Sequence, residues 1–347
     1  MAELVRPELL SLPSVAHGSV ALAELRPYGL TPADVLDFSV NTNPLGPAPS
    51  VLRAVCDTNW SRYPGDDEAP LRQQLADLNH VTQNQIVLGN GSVDLMWWTL
   101  LAAVRPGDSV AVPDHTFGEY AHAARAVGAQ VVDLQHASSA RILFLCQPNN
   151  PTGDYRPRDD IQRCLSDQPD RLLVLDEAYA AFVDARWPAE QLLESHPNLV
   201  VLRSMTKDHA LPGLRLGYLL ASPPVACAVA AVRPPWNVNS GALRAGLAAL
   251  SPAAQLHLQH ARDVVAQSRT HLTRELTRLG LSVTPSDANF VLVEVGDAPG
   301  FRRALLSLGI VVRDCTSFGL PAHVRIACRL PSECERLVAA IEESRRV

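Results

Sequence analysis

Lysine is almost absent from this chain. Of its 30 strongly basic residues, 29 are arginine and only Lys207 is a lysine. Arginine stays protonated in proteins, whereas a lysine whose pKa is lowered can lose its proton and attack a carbonyl group as a free amine. Lys207 is therefore either a chance survivor on a solvated surface or a residue whose chemistry arginine cannot supply. The residues around it must decide between the two.

Other absences exclude whole classes of protein. No run of about 18 uncharged apolar residues could span a membrane, and no basic patch precedes an apolar stretch at the N-terminus. A net charge of −6 without a basic block argues against nucleic acid as a partner. The seven cysteines form no Cys-x-x-Cys pair, and His257 with His260 lacks further ligands. We expect a cytoplasmic protein with reduced thiols and no metal site.

Short apolar runs alternate with helical stretches from about residue 85 to residue 221. This alternation favours an α/β fold with a mostly parallel sheet covered on both faces. The predicted strands are 85–88, 109–112, 131–134, 141–146, 171–175, 199–203 and 216–221, and the predicted helices between them are 93–104, 119–127 and 159–166.

The chain beyond the predicted sheet indicates a second, smaller unit. A charge-rich helical stretch runs from 242 to about 279, and an apolar run at 288–295 follows it. We therefore expect three parts: an N-terminal segment that packs on the small domain, a large domain, and a small C-terminal domain. Their predicted bounds are 1–43, 44–240 and 241–347.

Polar clusters follow three of the predicted strands. The segment RILFLCQPNNPTG leads into a loop with Asn150, RLLVLDEAY places Asp176 directly after a strand, and NLVVLRSMTK does the same for Ser204 and Lys207. In open α/β sheets the ligand crevice lies at the carboxyl ends of the strands. We therefore expect these side chains to converge on one site.

A fourth segment, GNGSVDL, ends a strand with glycines and opens a helix. The free backbone N–H groups of such a first turn, with the Ser92 hydroxyl, suit a phosphate, although the same residues also form ordinary helix caps. Asp176 alone could likewise be a cap or a core ion-pair partner. Beside a reactive lysine and a phosphate cradle, a carboxylate has a third role, which is to keep a pyridinium nitrogen protonated. The combination indicates a pyridoxal phosphate site.

Ordered motifs over nearly the whole chain resemble the fold-type I, aspartate-aminotransferase-like enzymes. In order, they are YPGDDEAPLRQQLA, GNGSVD, QPNNPTG, DEAYAAF, SMTKDHALPGLRLGY and ANFVLV…VRIACR. The resemblance implies a mostly parallel seven-stranded sheet in the large domain, pyridoxal 5'-phosphate as cofactor, and a lyase or transaminase activity. By this resemblance Lys207 binds the cofactor covalently, Asp176 pairs with its ring nitrogen, and Asn150 and Tyr179 hydrogen-bond its phenolic oxygen.

The resemblance also assigns the remaining cofactor contacts. Phe117 would stack on the ring, where the family often has tyrosine. Tyr63 resembles the tyrosine that reaches the phosphate of the partner subunit, which implies a homodimer with composite active sites. As isolated aromatic residues, both are more typical of a core than of a site. The expected phosphate ligands are Gly91, Ser92, Val93, Ser204, Thr206 and Arg215.

Two branches of the superfamily remain open. The N-terminal HGSVALAELRPYGLTPADVLDFSVNTNPLGP resembles the L-threonine-O-3-phosphate decarboxylases of cobalamin biosynthesis, as do PPWNVNS and VRDC…VRIACR. Those enzymes usually open with His-Gly-Gly, so Ser19 departs from their pattern. The alternative is a histidinol-phosphate aminotransferase of histidine biosynthesis, or another class I/II aminotransferase. The cofactor motifs do not distinguish decarboxylation from transamination.

The expected substrate is a small phosphorylated amino compound, and arginines suit both of its anions. Arg313, Arg325 and Arg329 lie near one predicted β-ribbon and could bind carboxylate and phosphate in bidentate fashion. The resemblance favours Arg325 as the main anchor, with His17 and Asn43 as further contacts. Arg313 could equally be structural.

A non-enzymatic transcriptional regulator is the alternative from another class. Such proteins carry a DNA-binding domain ahead of the aminotransferase-like region. Here the DFSVNTNP motif already starts at Asp37, which leaves no room for one.

Overall fold

The computed structural model describes residues 4–18, 20–65 and 67–345. Its α-helices are Pro7–Leu10 (α1), Leu22–Leu25 (α2), Pro49–Cys56 (α3), Glu68–Asn79 (α4), Ser92–Ala103 (α5), Glu119–Ala126 (α6), Arg158–Ser166 (α7), Met205–Asp208 (α8), Pro223–Ala231 (α9), Ser240–Ala249 (α10), Pro252–Arg278 (α11), Ala298–Ser307 (α12) and Pro331–Ser344 (α13). Its β-strands are Leu36–Asp37 (β1), Ile86–Gly89 (β2), Ser109–Ala111 (β3), Gln130–Val132 (β4), Ile142–Cys146 (β5), Leu172–Asp176 (β6), Leu199–Ser204 (β7), Gly217–Ala221 (β8), Ser282–Thr284 (β9), Phe290–Glu294 (β10), Ile310–Val311 (β11), Arg313–Asp314 (β12) and His323–Ala327 (β13).

Seven strands form the large sheet in the order β2-β8-β7-β6-β5-β3-β4. Every pairing is parallel except those of β8, which runs antiparallel to both β2 and β7. All seven predicted strands are present, close to their predicted bounds. The prediction of an α/β fold with a mostly parallel seven-stranded sheet is therefore confirmed.

The central strands are continuous apolar runs because both faces of the sheet are covered. Along β5, Leu143 and Leu145 enter one hydrophobic cluster, whereas Ile142 and Phe144 enter the cluster on the opposite face. This alternation follows from the two-residue period of a strand. Two separate cores thus hold the strand ends rigidly where the polar residues follow.

The small domain has its own sheet and core. Its four strands pair antiparallel in the order β12-β13-β10-β9, and side chains such as Val293 and Ile326 form a third cluster with the adjacent helices. The N-terminal segment packs against this unit: β1 pairs with β11, Phe38 is buried in the same core, and Leu25 packs on Leu306. No helix in the described ranges is long and apolar enough to cross a membrane.

The structure departs from the predicted helix over 242–279. The chain forms two helices there, because Ser251 caps the second one and Pro252 occupies its first position without a backbone N–H. Leu243 and Ala249 of α10 belong to a core cluster of the large sheet. The boundary predicted at residue 240 thus precedes a helix that packs with the large domain, and we propose the junction of α10 and α11 instead.

Candidate active site

A cavity of about 570 Å³ opens at the carboxyl ends of β5, β6 and β7. The last residues of these strands, Cys146, Asp176 and Ser204, all line it. Asn150 and Lys207, on the connections that follow, line it as well. The polar clusters that the sequence places at three separate strand ends therefore share one cavity.

Lys207 lies in the single helical turn α8, directly after β7. Burial and the positive charges of Arg325 and Arg215 together lower the pKa of Lys207 to about 8, although the Asp176 carboxylate partly opposes them. Roughly a tenth of such side chains carry a free amine at pH 7, compared with a negligible fraction for an exposed lysine. Lys207 is therefore a nucleophile in a site that suits one.

Asp176 is buried at the base of the cavity, with 5% of its surface exposed. The Tyr120 hydroxyl donates to Oδ2 at 2.8 Å, and the backbone N–H of Ala178 donates to Oδ1 at 3.0 Å. Burial raises the pKa of Asp176, whereas these hydrogen bonds and Lys207 oppose the rise. Within the described residues no side-chain cation contacts this carboxylate. A buried carboxylate in this setting suits a cationic ring nitrogen.

An anion site lies at the N-terminus of α5. Gly91 is its cap residue with φ 81°, and Ser92 and Val93 line the cavity with their unpaired first-turn N–H groups nearby. A Cβ on Gly91 would lie 2.8 Å from Arg215 Nη2, and the left-handed φ strains any residue that has a side chain, so glycine suits this position. The hydroxyls of Ser204 and Thr206 lie 2.7 Å apart and line the same cavity. Hydroxyls, backbone N–H groups and a guanidinium here fit a phosphate dianion.

Arg325 is buried and held in place by three neighbours. Its guanidinium donates to Asn150 Oδ1 and, at 2.8 Å, to the Ser39 carbonyl. With its amide oxygen turned toward Arg325, the Asn41 side chain accepts from Nε at 3.1 Å and Nη1 at 3.2 Å. A guanidinium has five N–H donors, and these four hydrogen bonds leave one for a substrate anion. Tyr179 lines the same wall, edge-on to Phe290.

Residues 12–18 lie across the cavity, and we call them the N-terminal strap. Arg313 donates to the carbonyls of His17 and Ala16 at 2.7 and 2.8 Å. His17 Nε2 lies 2.9 Å from Glu119 Oε1, and its ring lies 6.2 Å from that of Phe117. His17, Phe117 and Arg313 all line the cavity. Arg313 therefore holds the strap, whatever else it binds.

Four predicted site residues do not line this cavity: Gly91, which caps α5 as described above, and Asn43, Arg329 and Tyr63. Asn43 is hydrogen-bonded to the backbone beside Lys207. Its backbone N–H donates to the Lys207 carbonyl at 2.8 Å, and its side-chain amide donates to the Asp208 backbone carbonyl at 2.9 Å. Arg329 lies two residues beyond the end of β13, where it pairs with Glu333 at 2.9 Å and donates to the Asp37 carbonyl at 3.1 Å. Tyr63 is 79% exposed. Ser19 lies outside the described residues.

Sequence reasoning missed several lining residues. Tyr120 follows the predicted ring-stacking Phe117 by three residues, a spacing of about one helical turn that could have suggested it. Asn41 belongs to the quoted DFSVNTNP motif but has the same residue type as its neighbour Asn43. Cys146 ends an apolar strand, and nothing in the sequence distinguishes it from a core residue.

Comparison with known proteins agrees with this site. A histidinol-phosphate aminotransferase of Symbiobacterium thermophilum is 35% identical over 329 residues, which cover 89% of this chain and 90% of that protein. The solved histidinol-phosphate aminotransferase of Sinorhizobium meliloti, in complex with pyridoxal-5'-phosphate, superposes with a TM-score of 0.88 at 27% identity, covering 99% of this chain and 97% of the other.

A solved L-threonine-O-3-phosphate decarboxylase of Porphyromonas gingivalis is also similar, with a TM-score of 0.80 at 27% identity over 89% of this chain and 99% of that one. The model of the family "Aminotransferase class I and II" matches residues 33–341. With a family match over most of its length and a lysine of lowered pKa in the cavity, this chain belongs to the class I and II aminotransferase family of enzymes.

Proposed function

We propose that this enzyme decarboxylates a small amino acid that carries a phosphate, with L-threonine O-3-phosphate as the leading substrate. Its cofactor is pyridoxal 5'-phosphate. The residues described above fit this cofactor: Lys207 for the covalent bond, Asp176 for the ring nitrogen, and Arg215 with the α5 N-terminus for the phosphate. When bound, the cofactor delocalises the electron pair left on the α-carbon after one of its bonds breaks.

The charge of the cavity is the observation that carries the substrate proposal. Arg125, Arg313 and Arg325 line it, and Asp176 is the only acid among the described lining residues. The cofactor phosphate matches Arg215 and the ring nitrogen matches Asp176, so three guanidinium groups remain. A substrate with both a carboxylate and a phosphate neutralises them, whereas an amino alcohol phosphate supplies only one of these anions.

The residues of the chain can carry out the rest of the reaction. Arg325, fixed by Asn150 and Ser39, orients one substrate anion. The N-terminal strap covers the cavity and limits the access of water. In decarboxylation the bond between the α-carbon and the carboxylate breaks and carbon dioxide leaves. The Lys207 ammonium can then return a proton to the α-carbon, because its lowered pKa makes it a competent acid near neutral pH.

Transamination of histidinol phosphate is the second candidate, and the name and 35% identity of the Symbiobacterium relative favour it. The two activities differ in their products. With L-threonine O-3-phosphate, a decarboxylase releases carbon dioxide and aminopropanol phosphate. With histidinol phosphate and 2-oxoglutarate, a transaminase forms glutamate.

The test is to incubate the cofactor-loaded enzyme with each substrate and to measure carbon dioxide and glutamate. We expect carbon dioxide from the phosphoamino acid and no glutamate above background. Glutamate from histidinol phosphate, without carbon dioxide from L-threonine O-3-phosphate, would reverse the assignment. Lys207→Ala controls for contaminating activity, since it should abolish either reaction.

We also propose that the enzyme is a homodimer with composite sites. Tyr63 stacks on Trp236 with ring centroids 4.5 Å apart, and both residues are mainly exposed, as is Trp60, three residues before Tyr63. An aromatic surface of this kind is typical of an interface. Because Tyr63 does not line the cavity of its own chain, a role at the cofactor phosphate requires the cavity of a second copy.

A further inference from the structure

Tyr120 is a buried tyrosine whose hydroxyl lies at the base of the cavity. Its side chain is fully buried on α6. Its ring stacks on Phe144 with centroids 4.8 Å apart and an interplanar angle of 7°, and it meets Phe117 edge-on at 5.5 Å. The two contacts fix the position of the ring, and therefore of the hydroxyl.

The fixed hydroxyl donates to Asp176 Oδ2 at 2.8 Å. The only other donor to this carboxylate among the described residues is the backbone N–H of Ala178. One hydrogen bond thus comes from the backbone, which mutation cannot remove, and the other from a single removable oxygen atom. A hydrogen bond to an ionised acceptor is about twice as strong as one between neutral groups, and more so in a buried site.

We propose that Tyr120 is a positioning residue for the cofactor, because its hydroxyl orients the Asp176 carboxylate and favours its ionised form. The cofactor ring nitrogen would be paired by Asp176, and Tyr120 would act through that carboxylate rather than on the reacting atoms. This role is independent of which substrate the enzyme accepts. It rests on the cofactor and on the contact between Tyr120 and Asp176 alone.

The effect of Tyr120 on the pKa of Asp176 predicts a change in the pH dependence of cofactor binding. The hydrogen bond from Tyr120 lowers the pKa of Asp176 against the effect of burial. Without the hydroxyl the pKa of Asp176 rises, so the carboxylate becomes protonated at a higher pH as the solution is acidified. A protonated Asp176 no longer pairs with a protonated ring nitrogen. Cofactor affinity should therefore begin to fall at a higher pH.

The experiment compares Tyr120→Phe with the wild type and with Tyr155→Phe. Tyr155 is a matched control because its hydroxyl is hydrogen-bonded to the Trp187 backbone but does not line the cavity. The dissociation constant of pyridoxal phosphate is measured by equilibrium titration of the apoenzyme between pH 5 and 8. We expect Tyr120→Phe to weaken cofactor binding about tenfold. We also expect it to raise the pH below which the affinity falls, which we call the acid limit. Tyr155→Phe should do neither.

A double-mutant cycle separates positioning from general loss of structure. In an Asp176→Asn background the Tyr120 hydroxyl has no carboxylate to act on, so adding Tyr120→Phe should weaken cofactor binding less than twofold further. Equal losses in both backgrounds would mean that Tyr120 does not act through Asp176. Unchanged affinity and an unchanged acid limit in single Tyr120→Phe, with the apoenzyme still folded, would overturn the proposal directly.

Discussion

At the scale of single residues, a substitution at Lys207 can separate the role of its positive charge from its role as a nucleophile. Lys207→Arg keeps the positive charge but removes the chain's only lysine side-chain amine, so we expect the variant to fold and to lose activity by about three orders of magnitude or more. The visible absorbance of covalently bound cofactor, after gel filtration, is the measurement. Retention of that absorbance in Lys207→Arg would show that Lys207 is not the attachment point.

The pH dependence of cofactor association follows from the same residue. The pKa of Lys207 is lowered to about 8 by burial and by Arg325 and Arg215. Only the deprotonated amine attacks, so the association rate should rise with pH and level off just above 8 instead of near the ordinary lysine value of about 10.4. Stopped-flow absorbance with apoenzyme from pH 6 to 10 measures this. A rate still rising steeply above pH 9 would contradict it.

A site residue can be predicted from the sequence when its position, such as the end of a strand, determines where its side chain lies. Lys207, Asp176 and Asn150 each follow an apolar strand, and the parallel sheet gathers such positions into one cavity. Tyr120 and Asn41 occupy a helix face and a loop, where sequence spacing does not fix which cavity a side chain reaches. Arg329 shows the reverse case: it lies close to Arg325 in the sequence, yet β13 ends at Ala327, and Arg329 beyond it pairs with Glu333.

At the scale of elements, the contact between Arg313 and the N-terminal strap can be tested by comparing Arg313 with Arg329, which does not contact the strap. Arg313→Met removes two hydrogen bonds to the strap and a guanidinium that lines the cavity, so we expect the KM for the substrate to rise about tenfold. Arg329→Met removes a partly exposed pair with Glu333 and a hydrogen bond to the Asp37 carbonyl. Because Arg329 does not line the cavity, this should lower the melting temperature slightly and leave KM unchanged.

Steady-state kinetics with saturating cofactor, together with cofactor titrations, check both variants. Cofactor affinity should stay within about twofold of the wild type in each, because neither arginine lies at Asp176 or at the α5 N-terminus. An unchanged KM in Arg313→Met would mean that the strap contacts do not matter for substrate binding, whereas a raised KM in Arg329→Met would restore Arg329 as a candidate anchor.

Strands that are buried on both faces were predictable from the sequence. Strand direction and the break between two consecutive helices were harder to predict. The seven sheet strands are apolar on both faces, so their runs are continuous in the sequence. The antiparallel direction of β8 leaves no such mark, because an apolar run reads alike in both directions. The break between α10 and α11 was marked by Ser251-Pro252, an ordinary helix-start signal that the surrounding helical pattern obscured.

At the scale of the whole molecule, composite sites predict complementation between two inactive variants. In a homodimer with two-fold symmetry, each cavity would combine Lys207 of one subunit with Tyr63 of the other. A heterodimer of Lys207→Ala and Tyr63→Ala chains then contains one site with both residues intact and one site with neither. Random re-association of equal amounts makes half of the dimers mixed, so about a quarter of the sites should be native.

The measurement is activity after the two variants are mixed, dissociated by mild denaturant and reassembled, compared with each variant treated alone. Lys207→Ala alone should be inactive, and Tyr63→Ala alone should be limited by weaker cofactor binding. Recovery toward a quarter of wild-type activity requires that Tyr63 acts across the interface. If Tyr63 served only the surface of its own chain, the mixture would give no more than the sum of its parts, because no arrangement of the two chains would create a site better than that of Tyr63→Ala.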